Sequence, residues 1–485
     1  MKLIFTLPAL LLVWCSSQLS SGEYENEEKI LYSGQTVVSV IEKHKQNIRA
    51  MNPATIGVYV TEVESGKELV NYQGDLSLAT GSTMKAITTA TALAVLGDNF
   101  TFKTKIERSG KVEGGTLQGD LYITGGGDPT FGAKNYEYEL DLLASKVKES
   151  GITSITGNIV ADASIYNTQL TPNTWQWEDM GNYYGAGASG LSIHQNLYYV
   201  DFQPGKTVGS IAKVLGTRPE IPGLSFVNEM KTGKIGSGDN GYIYGAPFSY
   251  IRHLRGSVPA GVQKFSIKGS IPDPALFFAQ ALKKALLQRG IAVTGAAQAL
   301  SSQEVNKTLI YTHHSETLKE IVKTTNHKSN NLYAEAILKM LGKAKGGEGS
   351  TEAGTEVIKA YWAGKGIDVL GFTMEDGSGL SRANGLTARQ MGTVMAKSAS
   401  STAFVNSLPV WGQSGTVRSM GKGSVAQGKV RTKSGYIKRV RAYTGYAETV
   451  NGKQLAFAVM VNNYHGAYSS LNPFFVELMN TLVHL

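Results

Sequence analysis

Residues 79–89 constrain this chain more than any other stretch, because they place Ser82 and Lys85 three positions apart at the start of an apolar segment. The apolar segment runs to Leu96 and is followed by Gly97, which predicts a helix that begins near Ser82 and stops at Gly97. Positions i and i+3 of a helix share a face, so the two side chains point the same way. A buried, neutral Lys85 would accept the Ser82 proton, which makes Ser82 a candidate nucleophile and Lys85 its base.

The Ser-x-x-Lys spacing alone is weak evidence, since it also occurs elsewhere as ordinary surface pairs. The other copies are Ser145/Lys148, Ser210/Lys213 and Ser419/Lys422. The apolar helix and the motifs downstream distinguish Ser82 from them.

The first downstream motif is Ser329-x-Asn331, which lies between stretches of helical periodicity at 317–322 and 332–341. Ser329 is a candidate proton relay, and the Asn331 amide is a candidate ligand for a peptide carbonyl. The alternative role for these residues is a helix N-cap, which Ser and Asn favour.

The second downstream motif is Lys433-Ser434-Gly435, just before a predicted hairpin of strands 441–449 and 454–461. A strand at a sheet edge would let Lys433 and Ser434 hold a substrate carboxylate, while Gly435 allows close backbone approach. A competing Lys-Thr-Gly at 231–233 lies upstream of Ser329 and so breaks the order of the motifs.

The ordered set Ser-x-x-Lys, Ser-x-Asn and Lys-Ser/Thr-Gly is the signature of penicillin-binding proteins and serine β-lactamases. Far more residues separate Ser82 from Ser329 than in compact β-lactamases. The chain resembles the D-alanyl-D-alanine carboxypeptidase/endopeptidase family of the penicillin-binding protein 4 type, which carries two extra domains between the first two motifs. Further segments similar to that family are 119–123 with 125–129, 376–382, and 408–410 with 415–416.

The resemblance implies an α/β fold: a transpeptidase-like domain, with an antiparallel sheet flanked by helices, and a large mainly-β insertion between the first and second motifs. The expected division is a signal peptide at 1–22, the catalytic domain at 23–101 and 301–485, and the insertion at 102–300 with a possible nested sub-domain at 204–260.

The resemblance also implies residue roles. Ser82 is the acylated nucleophile, Lys85 the base, and Ser329 with Asn331 the second motif. The third motif is Lys433, Ser434 and Gly435, with Ser434 where many relatives have Thr. The backbone N–H groups of Ser82 and Tyr436 would form the oxyanion hole. Asp179, in the segment 175–180, would contact the amino group of the stem-peptide diamino acid.

The expected function is a serine DD-peptidase that cleaves D-Ala-D-Ala ends or D-Ala–diamino acid cross-links of peptidoglycan. β-Lactams would be covalent inhibitors, and no metal or organic cofactor is needed. The alternatives are a serine β-lactamase or esterase with the same residues, and a catalytically silent wall-binding protein. The oligomeric state stays open.

The first residues carry Lys2, an apolar run, and then small polar residues, as is typical of a secretory signal peptide cut between Cys15 and Gly22. A periplasmic location follows, with lipid anchoring at Cys15 as the alternative. Cys15 is the only cysteine, so a mature chain without it has no disulfide and no thiol nucleophile.

The formal net charge is +9, with one local basic cluster over residues 429–441. Nucleic acid is one candidate ligand for such a cluster. No recognition motif accompanies it, so we predict no nucleic-acid partner and favour a carboxylate-bearing substrate or an anionic wall polymer.

Overall fold

The structure is a computed structural model that describes residues 21–300 and 306–485. Cys15 and nearly all of the predicted signal peptide lie outside these residues. Within them, no helix combines the length and apolar character needed to span a bilayer.

The helices of the described residues are α1 (Ser21–Asn47), α2 (Met84–Leu96), α3 (Tyr136–Glu149), α4 (Trp177–Met180), α5 (Pro274–Gln288), α6 (Leu318–Lys328), α7 (Asn331–Ala344), α8 (Thr351–Gly364), α9 (Ala388–Ser398), α10 (Thr402–Ser407) and α11 (Asn472–Val483).

The strands are β1 (Thr55–Glu62), β2 (Glu68–Tyr72), β3 (Ser77–Leu78), β4 (Lys103–Arg108), β5 (Lys111–Glu113), β6 (Thr116–Gln118), β7 (Leu121–Thr124), β8 (Ser154–Ile155), β9 (Ile159–Asp162), β10 (Leu197–Gln203), β11 (Lys213–Arg218), β12 (Ser225–Asn228), β13 (Lys231–Gly233), β14 (Asn240–Tyr244), β15 (Ile251–Pro259), β16 (Phe265–Ser270), β17 (Ala292–Val293), β18 (Ala297–Leu300), β19 (Thr308–His314), β20 (Leu386–Thr387), β21 (Val430–Ile437), β22 (Val440–Glu448) and β23 (Gln454–Asn462).

One antiparallel sheet joins the two ends of the chain, in the order β2-β1-β23-β22-β21. Strand β1 pairs with β23 from Thr55↔Asn462 to Glu62↔Leu455. The hairpins predicted near each end are confirmed as β1–β2 and β22–β23. Burial of apolar residues on both faces explains why these strands are nearly continuous in apolar character.

Helices cover both faces of this sheet, as the predicted α/β fold requires. Buried residues of α1 and α11, such as Val37 and Phe475, form one core with the sheet. Buried residues of α2, α7 and α9, such as Ile87, Leu338 and Met391, form a second core on the other face. The expectation of an antiparallel sheet flanked by helices is therefore confirmed.

The region between α2 and α6 has its own apolar core, built from short strands and from helices α3 and α5. Its strands form four sheets, two of them ordered β18-β9-β7-β4-β19 and β17-β8-β6-β5. Residues 117–123 read as one strand in the sequence, but the structure divides them between β6 and β7, which belong to different sheets. The break falls at Gly119, where an added Cβ would lie 2.3 Å from the carbonyl oxygen of Ser109.

The two turns that carry the first and second motifs have defined geometry. A 3-10 turn over Gly81–Thr83 leads into α2, and Gly97, with φ +86°, ends the helix as predicted. Helix α6 ends at Lys328 and is followed by Ser329, whose φ is +55°, while α7 starts at Asn331. A non-glycine residue held in the left-handed region carries local strain of a kind often found at functional sites.

Candidate active site

The Ser82 hydroxyl oxygen lies 3.0 Å from the Lys85 ammonium nitrogen. Lys85 is fully buried at the start of α2 and also donates to Asn331 Oδ1 and to the Ser378 carbonyl, both at 2.6 Å. Burial lowers the pKa of Lys85 to about 7, against the opposing charge of Asp376 and Glu335. With two N–H groups held by carbonyl oxygens, the lone pair of the neutral amine faces Ser82 and can accept its proton.

The loop that presents Ser378 to Lys85 is held by the buried carboxylate of Asp376. This carboxylate accepts hydrogen bonds from Trp175 Nε1 at 2.8 Å and from Asn384 Nδ2 at 2.7 Å. It also accepts the backbone N–H groups of Gly379 and Ser381 at 2.7 and 2.6 Å. The sequence marks residues 376–382 as similar to the family but assigns them no role; an acid among glycines is the signal that they carry.

The second motif joins Ser329 to Lys433, and Asn331 to Lys85. The Lys433 ammonium donates to Ser329 Oγ at 3.0 Å. Besides accepting from Lys85, Asn331 donates through Nδ2 to the Tyr184 carbonyl at 2.7 Å. The N-cap of α7 is Asn330 rather than Ser329 or Asn331. Its side chain accepts a hydrogen bond from the Tyr333 N–H at the start of α7.

Lys433 is fully buried behind the cavity wall, where it also donates to the Ser434 carbonyl at 2.8 Å. Burial lowers the pKa of Lys433, and the positive charges of Lys85 and Arg441 lower it further. The sequence pointed to Lys433 as a carboxylate ligand. In the structure, the Ser434 and Thr416 hydroxyls line the cavity and lie 2.7 Å apart.

Strand β21 passes so close to the 3-10 turn that both contact points need glycine. A Cβ on Gly435 would lie 2.5 Å from the Thr80 carbonyl oxygen and 3.2 Å from the Ser82 nitrogen. A Cβ on Gly81, whose φ is +50°, would lie 3.0 Å from the Tyr436 nitrogen. The backbone nitrogens of Ser82 and Tyr436 therefore lie where the turn and β21 come closest, and two backbone donors aimed at one position can stabilise a developing oxyanion.

A cavity of about 1400 Å³ opens onto this position. It brings together Ser82, Ser329, Asn331, Ser434 and Tyr436 of the predicted set. The two lysines lie behind its wall. No group of three or more His, Cys, Asp and Glu side chains among the described residues is arranged to hold a metal ion.

Asp179, on the short helix α4, lines the same cavity as Ser82. Burial raises the pKa of its carboxyl to about 6, and the neighbouring Glu178 adds to this. A hydrogen bond from Tyr184 and the charge of Arg382 act in the opposite direction. A partly buried carboxylate beside these groups can accept a cationic group of a ligand in the cavity.

These features define a serine acyl-transfer enzyme: a serine hydroxyl hydrogen-bonded to a buried lysine, backbone nitrogens near that serine, and a second serine–lysine pair. The sheet with helices on both faces is the fold predicted for this class. Residues 37–473 match the D-Ala-D-Ala carboxypeptidase 3 (S13) family of peptidases, and the chain belongs to this family.

Individual relatives agree with the family match. The chain is 29% identical over 435 residues to a D-alanyl-D-alanine carboxypeptidase of Actinomadura sp. (strain R39), covering 86% of this chain and 79% of the relative. It is 24% identical over 424 residues to the D-alanyl-D-alanine carboxypeptidase DacB of Haemophilus influenzae, covering 85% and 86%.

The fold also matches a solved structure. Penicillin-binding protein 4 (dacB) of Haemophilus influenzae superposes with a TM-score of 0.81 at 22% identity, covering 92% of this chain and 99% of that one. A structure of the same protein complexed with a β-lactam gives a TM-score of 0.76. The predicted fold and the predicted family are both confirmed.

Proposed function

We propose that this protein is a serine DD-peptidase that cleaves D-Ala-D-Ala ends, and D-Ala–diamino acid cross-links, of peptidoglycan through an acyl-enzyme on Ser82. The observation that carries the proposal is the 3.0 Å contact between Ser82 Oγ and the buried amine of Lys85. Membership of the S13 family supplies the substrate class.

In the proposed reaction, Lys85 takes the Ser82 proton as Oγ attacks the carbonyl carbon of the penultimate D-Ala. The negative charge on the carbonyl oxygen is stabilised by the N–H groups of Ser82 and Tyr436. Ser329 passes a proton from the Lys433 side to the leaving amine, and the C–N bond breaks. Water then attacks the ester carbonyl and gives a proton through Ser329 to Lys433, and Lys85 returns its proton to Ser82 Oγ as the ester C–O bond breaks.

Substrate positioning is assigned to the cavity wall. Asn331 orients Lys85 and lies where a peptide amide can reach its side chain. Asp179 receives the amino group of the diamino acid, because it is the carboxylate of the cavity that burial and Tyr184 hold in place. Gly435 allows the substrate backbone to lie along the edge of β21.

β-Lactams are proposed as covalent inhibitors that acylate Ser82 and form an acyl-enzyme that water hydrolyses slowly. The β-lactam complex of the Haemophilus influenzae protein supports this by homology. A β-lactamase with the same residues would differ by fast deacylation, and a silent wall-binding protein would not be acylated.

The proposed site of action is outside the cytoplasm, since peptidoglycan lies there. Export through the signal peptide at 1–22, a periplasmic location and the division of the chain at residues 102 and 300 are parts of the proposal. Lipid anchoring at Cys15 is the alternative to release of the mature chain.

The test is mass spectrometry of purified peptidoglycan digests before and after treatment with the protein. Loss of terminal D-Ala shows carboxypeptidase action, and loss of cross-linked dimers shows endopeptidase action. Unchanged digests, with Ser82→Ala as the matched control, would contradict the proposal. The lifetime of a fluorescent penicillin label then separates a peptidase from a β-lactamase.

A further inference from the structure

Arg441 lies on β22 with only 9% of its surface exposed, yet it lines the cavity that contains Ser82. One of its guanidinium nitrogens donates to the Tyr443 hydroxyl. The guanidinium carbon lies 4.8 Å from the centroid of the Tyr443 ring and 5.5 Å from that of Tyr468. These rings fix the position of the guanidinium group.

Arg441 has no ion-pair partner in the part of the chain that the structure describes. No carboxylate there lies within 4.0 Å of it, and its buried Nε has no hydrogen-bond partner. A buried charge is costly unless it is paired. An arginine left unpaired at the wall of a substrate cavity is thus available to a ligand anion.

The sheet register places Arg441 on the same face as the hydroxyl of Ser434. Arg441 is opposite Tyr436, and Tyr443 is opposite Ser434. Directly opposed residues share a face, and so do residues two apart on one strand. Lys433 is on the other face, which agrees with its contact to Ser329.

Of the basic cluster over residues 429–441, Arg441 thus combines burial, an unpaired charge and a place in the cavity. Lys438 also lines the cavity but is exposed, as is its neighbour Arg439. The Ser434 and Thr416 hydroxyls on the same wall add neutral donors. A planar guanidinium and two hydroxyls that line the same cavity form a donor set that suits a carboxylate.

We propose that Arg441 binds the C-terminal carboxylate of the D-Ala leaving residue, together with the hydroxyls of Ser434 and Thr416. This assignment rests on the proposed function and deepens it: Arg441 is the residue that selects peptides with a free terminal carboxylate. Arg441 would thus recognise the carboxylate charge, a role that the sequence suggested for Lys433.

The experiment compares kcat/KM on a D-Ala-D-Ala peptide and on the same peptide with its C-terminus amidated. Arg441→Gln should lower kcat/KM about tenfold to a hundredfold on the free acid, the range expected for one charge-assisted contact. On the amide, which lacks the carboxylate charge, it should change the value less than about threefold. Arg439→Gln, which removes the same charge two residues away, should leave both substrates unchanged.

Equal losses on both substrates, or no loss on the free acid, would overturn the role of Arg441. Thermal unfolding checks that the variants fold. If Arg441→Gln does not fold, Arg441→Lys decides, because it keeps the charge and loses the planar fork. An unchanged acid-to-amide ratio in that variant would equally overturn the role. Failure of the proposed function looks different: the unaltered protein would cleave neither peptide and take no penicillin label.

Discussion

The ammonium of Lys433 lies 3.0 Å from the Ser329 hydroxyl, on the face of β21 opposite to Ser434. In the proposed reaction, this pair would supply the proton that the leaving amine needs. Lys433 reaches the cavity only through Ser329 and through its electrostatic field.

We expect Lys433→Ala to slow acylation by about one to two orders of magnitude, because it removes a charged hydrogen-bond donor worth about 1.5–3 kcal/mol. The loss should be equal on free-acid and amidated peptides, since Lys433 contacts Ser329 rather than the carboxylate. Steady-state kcat/KM on both peptides measures this. A loss confined to the free acid would assign carboxylate binding to Lys433.

Ser82→Ala should abolish labelling by fluorescent penicillin and leave the fold intact. The Ser82 side chain makes no helix-capping hydrogen bond, and its contact is with Lys85. The free energy of unfolding should therefore change by no more than about 1 kcal/mol. Gel labelling and urea unfolding check the two statements; surviving label would point to Ser145, Ser210 or Ser419, the other Ser-x-x-Lys serines.

The rate of acylation should fall as the pH drops below about 7. Burial lowers the pKa of Lys85 to about 7, and only the neutral amine can accept the Ser82 proton. The rate should then lose about tenfold for each further pH unit. Stopped-flow labelling with penicillin between pH 5 and 8 gives the profile, with circular dichroism as the control for folding.

Lys85→Arg sharpens the same test, because a guanidinium stays protonated at any pH that the protein survives. This variant keeps the positive charge, so loss of labelling at every pH would trace activity to the neutral base. A flat profile in the unaltered protein would place the base elsewhere.

Gly435→Ala should lower activity at least about a hundredfold, because its Cβ would meet the Thr80 carbonyl oxygen at 2.5 Å and push β21 away from the 3-10 turn. Displacement of about 1 Å in an active site has this effect. Gly364→Ala, where a Cβ meets nothing within 4 Å, is the matched control and should leave activity unchanged. Equal activity of the two variants would show that the close approach of β21 to the 3-10 turn does not determine the oxyanion site.

Asp376→Asn should destabilise the protein by about 3 kcal/mol, since the new amide NH₂ would face donors that now bond to the carboxylate. Asp368→Asn is the control: this aspartate is exposed and caps only the Leu370 N–H, a role that asparagine can take. Urea unfolding compares the two variants. Similar unfolding midpoints of the two variants would show that the hydrogen bonds to the Asp376 carboxylate do not stabilise the protein.

Local signals in the sequence predicted what local physics decides. Gly97 ended α2 because it adopts a positive φ, and Asn451-Gly452 formed the turn of the last hairpin. The break between β6 and β7 was not visible, since it depends on the contact of Gly119 with the distant Ser109.

The site shows the same limit. Alternation along β21 places Lys433 and Ser434 on opposite faces, but the sequence does not say which face is turned toward Ser329, between α6 and α7. The orientation of β21 determines that Lys433 contacts Ser329 and that Arg441 lines the cavity. The support of Lys85 by Ser378 and Asp376 likewise depends on a loop whose position only tertiary packing sets.

The pairing of β1 with β23 has a consequence for how the chain matures. Residues as far apart as Thr55 and Asn462 must meet before the central sheet exists. Such long-range pairing forms slowly compared with local hairpins and helices. A growing polypeptide can bring Ser82, in the 3-10 turn, beside Lys85, in α2, but β21 follows only after more than four hundred residues have been synthesised. The nascent chain therefore contains Ser82 but lacks a complete active site until translation is nearly complete.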